Sequence, residues 1–247
     1  MFISERILRK EIIEVCYKIW LKGYVAAADG NVSSRLGEDR IIITPSGFSK
    51  GELKEEDLII TDMKGNKILG KWKTSSEIHM HLSVYNERKD VLGIVHAHPP
   101  TCIAFSIAGI ELPECILPEV VVTLGKIPIT EYATPGTPEG AIIVKDLIKE
   151  YDALILDRHG TITVGTSVKD AYYKLEKVEH TAEITMKAKQ LGGIRSLSKD
   201  QIDKLIEVRK SLGLKERPIK CSNCGNCLSE KDIEYVTTIT KHVIELL

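Results

Sequence analysis

Apolar residues recur every three or four positions in several segments of this chain, which is the period of a helix with one buried face. In residues 4–22 they form one stripe, and Gly23 follows as a typical helix end. The same period predicts helices over three further segments: 138–149, Val168–Leu191 and 230–246. Gly192-Gly193 ends the longest of them.

Two segments match the capping box, in which a Ser or Thr and a Glu or Gln three residues later satisfy each other's backbone N–H groups. Thr74-Ser75-Ser76-Glu77 predicts a helix that starts at Ser75. Ser198-Lys199-Asp200-Gln201 predicts a short helix that runs to about Leu212. Taken alone, the first match makes Glu77 a capping residue with no part in chemistry.

Short runs rich in β-branched residues lie between the predicted helices and indicate strands. They are Ile41–Thr44, Leu58–Thr61, Lys67–Leu69, Val91–Val95, Gly125–Thr130, Ala153–Leu156 and Ile162–Val164. The polar run AADGNVSSR, just after the first helix, indicates a loop. Strands and helices do not alternate strictly, so the pattern predicts a layered α/β domain with a largely antiparallel sheet.

Composition places the chain among ordinary globular proteins. It has 247 residues, of which 43% are hydrophobic and 28% charged, enough for one large domain or for a smaller domain with an appendage. The net charge of −1 gives no overall attraction to nucleic acid or to an anionic membrane. The start MFISERILRK lacks the apolar core of a signal peptide, and no apolar run is long enough to span a bilayer. We therefore expect a cytoplasmic protein.

Histidines follow two of the predicted strands. His96-Ala97-His98 comes directly after Val91–Val95, and residues two apart in an extended chain point to the same side, so both imidazoles can bind one metal ion. His159 follows the strand Ala153–Leu156 and can supply a third nitrogen. Three histidines leave coordination positions open, which is typical of catalytic zinc. Taken singly, each histidine is explained equally well as the end of a strand or as part of a turn.

The predicted helix start at Ser75 also suits an anion. Free backbone N–H groups at a helix N-terminus, together with the hydroxyls of Ser75 and Ser76, can bind a phosphate. A chain whose net charge is close to zero can therefore still hold a phosphorylated substrate. The alternative is that both serines are ordinary residues of a first helical turn.

Six collinear motifs resemble the class II aldolase family, which includes L-fuculose-1-phosphate aldolase, L-ribulose-5-phosphate 4-epimerase and methylthioribulose-1-phosphate dehydratase. The motifs are Gly30-Asn31-Val32-Ser33, Ile43-Thr44-Pro45-Ser46-Gly47, Ser75-Ser76-Glu77, His96-Ala97-His98-Pro99, Tyr132-Ala133-Thr134-Pro135-Gly136-Thr137, and His159-Gly160 with Val164-Gly165. The resemblance covers residues 5 to about 191. It implies a three-layer α/β/α fold around a central, largely antiparallel sheet, and a homotetramer with active sites near subunit boundaries.

The resemblance also implies roles for individual residues. His96, His98 and His159 would bind one zinc ion per subunit. Glu77 would be the acid/base residue and would also contact the metal when no substrate is bound. The substrate phosphate site would consist of Gly30, Asn31, Ser46, Gly47, Ser75 and Ser76.

The implied activity is reversible aldol cleavage of a phosphorylated ketose, similar to L-fuculose 1-phosphate, into dihydroxyacetone phosphate and an aldehyde. Zinc would act as a Lewis acid on the substrate's oxygens, and Glu77 would move the proton at the carbon next to the carbonyl. Alternatives within the family are a 5-deoxy- or methylthio-ribulose-1-phosphate aldolase or dehydratase and a pentulose-phosphate epimerase. A non-catalytic, adducin-like binding module is a further alternative, which the intact set of Glu77 and three histidines disfavours.

Some positions depart from the family pattern or have no assigned role. Arg158 stands where the family usually has asparagine. Glu119 is a candidate second acid/base residue, with a surface carboxylate as the alternative, and Tyr235 is a candidate for the tail residue that some relatives contribute to a neighbour's site. His81 lies one helical turn after Glu77, and we interpret it as a packed or orienting histidine rather than a ligand.

Three of the six cysteines cluster at Cys221, Cys224 and Cys227, in a region that the resemblance does not cover. This spacing suits a second zinc ion or an iron–sulfur cluster, although the fourth cysteine of a ferredoxin-type run is missing. Three reduced cysteines in a turn are the alternative. We therefore predict a catalytic domain over 1–193 and a helical C-terminal extension over 194–247 that carries the cluster.

Overall fold

The computed structural model describes residues 4–215, and these residues form two compact units. The first unit contains the described residues up to Leu112 together with Ile127–Leu191. The second contains Pro113–Lys126 and the described residues from Gly192 onward. The predicted boundary after residue 193 stays a prediction, because most of the predicted extension lies outside the described residues.

The first unit contains strands and helices in mixed order. Its strands are β1 (Asn31–Leu36), β2 (Arg40–Ile43), β3 (Ile59–Asp62), β4 (Lys67–Leu69), β5 (Gly93–Ala97), β6 (Ala153–Leu156) and β7 (Gly160–Gly165). Its helices are α1 (Glu5–Leu21), α2 (Ile78–Glu87), α3 (Pro100–Ile107), α5 (Glu139–Glu150) and α6 (Val168–Gln190), with a 3-10 turn at Glu55–Asp57. The second unit contains α4 (Pro118–Thr123) and α7 (Lys199–Ser211).

The strands form one sheet in the order β4-β3-β2-β1-β5-β7-β6, and every neighbouring pair is antiparallel. The hairpin neighbours β1–β2, β2–β3, β3–β4 and β6–β7 follow one another in the chain. β5 joins the two groups, because it pairs with β1 on one side and with β7 on the other. The centre of the sheet therefore brings together segments that are far apart in the sequence.

Side chains on the two faces of the sheet pack into two separate hydrophobic cores. Ile42 and Val95 belong to a core that includes apolar residues of α1 and α6, whereas Ile41 and Ile94 belong to a core that includes residues of α2 and α5. A strand that is apolar at every position is typical of a sheet that is covered on both sides. The result is the predicted three-layer α/β/α fold with an antiparallel central sheet, which is confirmed.

Most long elements agree with the hydrophobic pattern. The predicted helix over 4–22 is α1, the helix predicted from Val168 is α6, and the helix predicted from the second capping box is α7. Ser198 accepts a hydrogen bond from the Gln201 N–H in that box, and the Gln201 side chain accepts one from the Ser198 N–H. Among the described residues, none of the helices is both long and apolar enough to cross a membrane.

Two local predictions were wrong. The run NVSSR was predicted to be a loop but forms β1, the strand that pairs with both β2 and β5. Its polar side chains are buried because they bond to other elements instead of to water. The predicted strand Gly125–Thr130 is absent from the described sheet and contributes an isolated parallel bridge between Ile129 and Ile155. The short helices α3 and α4 were not predicted.

Candidate active site

The candidate site forms where three central strands meet at one end of the sheet. Asn31, the first residue of β1, pairs with His96 near the end of β5. On its other side, His96 pairs with Ile162 of β7. Strand β7 begins at Gly160, so His159 is the residue directly before it. Antiparallel pairing thus places the end of β5 beside the start of both neighbouring strands. Residues from three distant parts of the sequence converge there.

His96, His98 and His159 lie with their rings around one point. The ring centroids are 4.8 to 4.9 Å apart, and the Nε2 atoms of His96 and His98 are separated by 3.1 Å. One nitrogen from each ring lies within 4.8 Å of the other two. The three predicted ligands are therefore close enough to bind a single ion.

Hydrogen bonds orient two of these imidazoles. The His96 Nδ1 atom donates to the Thr161 carbonyl at 2.9 Å, which leaves the Nε2 atom without its proton in the neutral ring and turned toward the other histidines. The His98 Nδ1 atom lies 3.5 Å from a carboxylate oxygen of Asp29. Metal-binding histidines commonly have such a carbonyl or carboxylate behind them. Sequence analysis missed Asp29, because nothing in the chain links it to a histidine so far away.

Two glycines make room for this arrangement. A Cβ atom on Gly160 would lie 2.4 Å from the Ala97 carbonyl oxygen and 2.9 Å from a carbon of the His98 ring. Gly30 has a φ of +75°, and its Cβ would lie 2.9 Å from the His96 carbonyl oxygen. Any side chain at either position would displace the backbone that holds the histidines.

Glu77 faces the histidines and does not cap its helix as the capping box predicted. Helix α2 starts at Ile78, three residues later than expected, and Glu77 is its N-cap residue without a side-chain capping bond. Its carboxylate oxygens lie 3.2 Å from His96 Nε2 and 3.3 Å from His159 Nε2. The Asn31 Nδ2 atom donates a third contact at 2.8 Å. The capping interpretation was wrong because partners from β1, β5 and the start of β7 hold this carboxylate.

The charges in this cluster are strongly coupled. Burial raises the pKa of the Glu77 carboxyl group, but His96, His159 and Asn31 outweigh burial, so the net pKa lies well below its ordinary range. For His96, burial lowers the pKa of the imidazole, but the neighbouring Glu77 carboxylate raises it by more. The net pKa of His96 is therefore raised. Burial and the neighbouring histidines lower the pKa of His98 to about 3, and they lower that of His159 to about 4.

These residues fit a divalent metal ion. His98 and His159 stay neutral at physiological pH, which metal binding requires, and Glu77 adds a negative charge. Two imidazole nitrogens only 3.1 Å apart, beside a carboxylate, form a donor set that a cation satisfies well. Three nitrogen ligands with open positions are typical of a catalytic zinc site.

Five of the six predicted phosphate-binding residues lie on three loops, and the sixth, Asn31, is the first residue of β1. Ser46 and Gly47 follow β2, and a bridge between Pro45 and Thr74 places them beside the segment that carries Ser75 and Ser76. Ser75 is buried, and its hydroxyl accepts the Glu77 N–H at 3.3 Å. Gly30 precedes β1.

Lys50 joins two of these loops and was not found by sequence analysis. Its ammonium group donates to the Ala28 carbonyl at 2.8 Å and to the Phe48 carbonyl at 2.7 Å. The side chain is only 2% exposed, and burial lowers its pKa. A lysine after a Pro-Ser-Gly turn gives no sequence signal of burial, because its contacts depend on the fold of the loop before β1.

The remaining candidates have different positions. Glu119 is exposed on α4, in the second unit, and His79 is exposed on α2. Arg158 has a φ of +56°, a conformation that asparagine, the residue usual in the family, adopts more readily than arginine. Other candidates lie outside the described residues: Cys221, Cys224, Cys227 and Tyr235.

Comparison with known proteins gives a family for the chain. The sequence profile of the class II aldolase and adducin N-terminal domain matches residues 10–186. The L-fuculose phosphate aldolase of Methanococcus maripaludis is 39% identical over 172 residues, which is 70% of this chain and 92% of that protein. The 3-oxo-tetronate 4-phosphate decarboxylase of Pectobacterium atrosepticum is 31% identical over 208 residues, which is 82% of this chain and 94% of that protein.

A solved structure supports the same relationship. A structure of L-fuculose 1-phosphate aldolase superimposes with a TM-score of 0.77 at 29% identity, covering 85% of this chain and 98% of that chain. The family profile, over residues 10–186, spans all seven strands of the sheet and the three histidines. The resemblance noted from the motifs is therefore confirmed.

Proposed function

The chain belongs to the class II aldolase and adducin N-terminal domain family, and on this premise we propose that it is a metal-dependent lyase acting on a phosphorylated ketose. The products would be dihydroxyacetone phosphate and an aldehyde, with a substrate similar to L-fuculose 1-phosphate. One observation carries the proposal: the Glu77 carboxylate lies within 3.3 Å of two of the three converging imidazoles. A proton acceptor and a metal-ligand set thus occupy the same space.

His96, His98 and His159 would hold the metal ion, with Glu77 close enough to join them when no substrate is bound. When bound, a zinc ion supplies Lewis-acid polarisation of a substrate carbonyl oxygen. Thr161 and Asp29 would keep the rings of His96 and His98 turned toward that ion. One ion per subunit accounts for the whole histidine cluster.

Glu77 would move the proton at the reacting carbon. In the direction of synthesis its carboxylate removes a proton from the carbon next to the carbonyl, and in the direction of cleavage it returns that proton after the carbon–carbon bond has broken. Its lowered pKa keeps the free carboxyl group ionised. No lysine that forms a Schiff base is needed for this route.

The substrate phosphate would bind where the loops that carry Gly30, Ser46-Gly47 and Ser75-Ser76 meet. Exposed Ser46 and Ser76 offer hydroxyls, and Gly47, with a φ of +80°, lets a backbone N–H approach an anion closely. The Asn31 amide has two N–H groups, and Glu77 uses one of them. The buried Lys50 adds a positive charge between two of the loops.

Decarboxylation is a second candidate, because a relative named 3-oxo-tetronate 4-phosphate decarboxylase covers 82% of this chain at 31% identity. Loss of carbon dioxide next to a carbonyl needs the same charge stabilisation and the same proton return as aldol cleavage. The dehydratase and epimerase alternatives would share the metal site and the charge stabilisation. An adducin-like binding module is disfavoured, since it would have no use for Glu77 beside three histidines. Homotetrameric assembly and a cytoplasmic location stay predictions.

A substrate panel tests this proposal. The purified full-length chain is incubated with ketose 1-phosphates, including L-fuculose 1-phosphate and 5-deoxy- and methylthio-ribulose 1-phosphates, with a pentulose 5-phosphate and with a 3-oxo acid phosphate. Each reaction is run after chelator dialysis and after addition of zinc, cobalt or manganese. We expect dihydroxyacetone phosphate from at least one ketose, abolished by the chelator and partly restored by metal. Carbon dioxide release alone would favour the decarboxylase, and full activity without metal would exclude the proposed mechanism.

A further inference from the structure

A continuous chain of buried side chains runs behind Glu77. Its carboxylate accepts from Asn31 Nδ2 at 2.8 Å, and Asn31 Oδ1 lies 2.5 Å from His81 Nε2. His81 Nδ1 lies 2.6 Å from the Ser33 hydroxyl, which lies 2.9 Å from the Tyr85 hydroxyl. Four side chains thus connect the reacting carboxylate to the middle of the core.

The chain follows from the spacing of two elements that pack together. Asn31 and Ser33 are two apart on β1, so they point to the same face of the sheet. Glu77, His81 and Tyr85 are four apart, at the start of α2 and along it, and therefore share one face of the helix. Residues of the strand and of the helix alternate along the chain of bonds.

These groups have no access to water. Ser33, His81 and Tyr85 are 0% exposed, and Asn31 is 3% exposed. A buried polar group without a hydrogen-bond partner is costly, so the protons along this chain must be arranged to satisfy every member. That requirement fixes the direction of each bond.

The direction can be derived from the carboxylate outward. Ionised Glu77 only accepts, so Asn31 turns its amide nitrogen to Glu77 and its oxygen to His81. His81 must then donate through Nε2. Burial, followed by the charge of His96, lowers the pKa of His81 to about 3, so the ring is neutral and Nδ1 accepts. Ser33 therefore donates to His81, and Tyr85 donates to Ser33.

We propose that this one-way series of donors, Tyr85 to Ser33 to His81 to Asn31 to Glu77, is a positioning device for the proton-transfer base. It holds Glu77 Oε2 through Asn31 and leaves Oε1, the oxygen 3.3 Å from His159, as the atom that takes and returns the proton. His81 is a positioning residue in this scheme, neither a ligand nor an acid. The inference rests on the proposed function.

The bond directions can be tested without any activity. Nitrogen-15 NMR of the histidine side chains in the metal-free protein at neutral pH should show His81 as the neutral tautomer with its proton on Nε2. Assignment would come from the signal that disappears in His81→Gln. A proton on Nδ1, or a doubly protonated ring, would overturn the proposal, whatever the protein turns out to catalyse.

The functional effect is tested with adjacent serines. Ser33→Ala interrupts the series, whereas Ser34→Ala removes a hydroxyl that is equally buried on the same strand but donates to the Leu92 carbonyl at 3.1 Å. Residues that orient a reacting group without touching the substrate commonly change activity by about 10–100-fold when they are replaced. We therefore expect Ser33→Ala to lower kcat by about tenfold, with KM and metal content nearly unchanged. Ser34→Ala should stay within about twofold of wild-type kcat, because its bond does not lead to Glu77. If both variants lost kcat equally, the hydrogen-bonded series would have no specific effect on Glu77, and the proposal would be overturned.

Two further substitutions cover the case in which Ser33→Ala fails to fold. Gln at position 81 can both donate and accept, whereas Leu can do neither. We therefore expect His81→Gln to retain several-fold more turnover than His81→Leu. Equal turnover in these two variants would also overturn the proposal. If the wild-type chain acts on no substrate of the panel, the proposed function fails while the tautomer measurement still decides the bond directions.

Discussion

The two ends of the central strands carry two very different concave regions. At the end away from the histidines, a cavity of about 650 Å³ is lined by residues that include Glu11, Arg35, Glu38 and Thr166. At the histidine end, the cleft beside Glu77 and His159 has a volume of only about 20 Å³. Among residues 4–215, the only group of converging metal-ligand side chains is His96, His98 and His159, so volume alone would favour the end of the sheet that lacks the candidate ligands.

The difference lies in where the charged groups find their partners. In the large cavity, Glu11 accepts the backbone N–H of Lys169, and Arg35 donates to the Tyr85 and Val91 carbonyls. Those charges are used to hold the backbone together. At the histidine end, Glu77 and the imidazoles face one another and shift each other's pKa values. Ionisable groups that lie in a cleft and strongly shift each other's pKa values mark a candidate functional site.

The largest expected effect comes from removing the proton acceptor at the histidine end. Glu77→Gln keeps the shape and the bond from Asn31 but can no longer accept a proton. General acid–base groups contribute about 10²–10⁴-fold, so we expect turnover to fall at least about a hundredfold with little change in melting temperature. Steady-state kinetics on the best substrate of the panel, together with thermal unfolding, would measure both.

The matched control is the same substitution at the other end of the same helix. Glu87 lies 3.6 Å from Lys145 and from Lys149 at the surface, far along α2 from the histidines. Glu87→Gln should leave turnover within about twofold, since such surface ion pairs contribute little. If Glu77→Gln also kept near-normal turnover but melted earlier, its carboxylate would be structural and the contrast between the two ends would disappear.

A second prediction concerns pH and the metal-free protein. His81 and His98, with pKa values of about 3, and His159, with a pKa of about 4, stay neutral in the folded state, whereas in the unfolded chain they take up protons near 6.5. Their contribution is complete above pH 6.5 and is lost as the pH falls toward about 4 for His159 and toward about 3 for His81 and His98. Each can contribute up to about 1.4 kcal/mol per pH unit in that window.

His96 acts in the opposite sense, because its pKa is raised and its contribution is lost as the pH rises. Three histidines lose their stabilising contribution as the pH falls, and only His96 gains one. The net effect of acidification is therefore a loss of stability. Urea unfolding in chelator between pH 7 and 4.5 should therefore show a falling midpoint, with a shallower slope for His81→Gln. A midpoint that stayed constant or rose on acidification would contradict the pKa assignments at this end of the sheet.

The smallest effect is expected from a substitution at the large cavity. Glu38 is exposed in the turn after β1, so Glu38→Trp would fill the mouth of the cavity without disturbing a core. Surface changes of this kind usually alter stability by less than about 0.5 kcal/mol. We expect turnover within about twofold of wild type and an unchanged metal content. A tenfold loss of turnover would show that the cavity takes part in the function and that the comparison of the two ends is incomplete.

The sequence alone determined the long elements and the candidate chemistry. The apolar stripes of α1 and α6 and the capping box of α7 are local patterns, and local geometry suffices to read them. The motifs around the histidines gave the family, because their order along the chain does not depend on three-dimensional contacts. The polar strand β1 was not predicted, because a polar run indicates a loop unless the buried partners of its side chains are known.

Only the tertiary structure showed which groups hold the Glu77 side chain. Its local pattern predicts a cap for Thr74, and no local rule distinguishes that role from a role beside the histidines. The deciding partners are distant: Asn31 lies 46 residues before Glu77, and His81 bonds to Ser33 across 48 residues. Antiparallel pairing brings β1 beside β5, and packing lays α2 along β1, so that buried polar groups must satisfy one another. Burial and long-range pairing, which no window of sequence contains, place the Glu77 side chain against Asn31, His96 and His159 instead of in a capping bond.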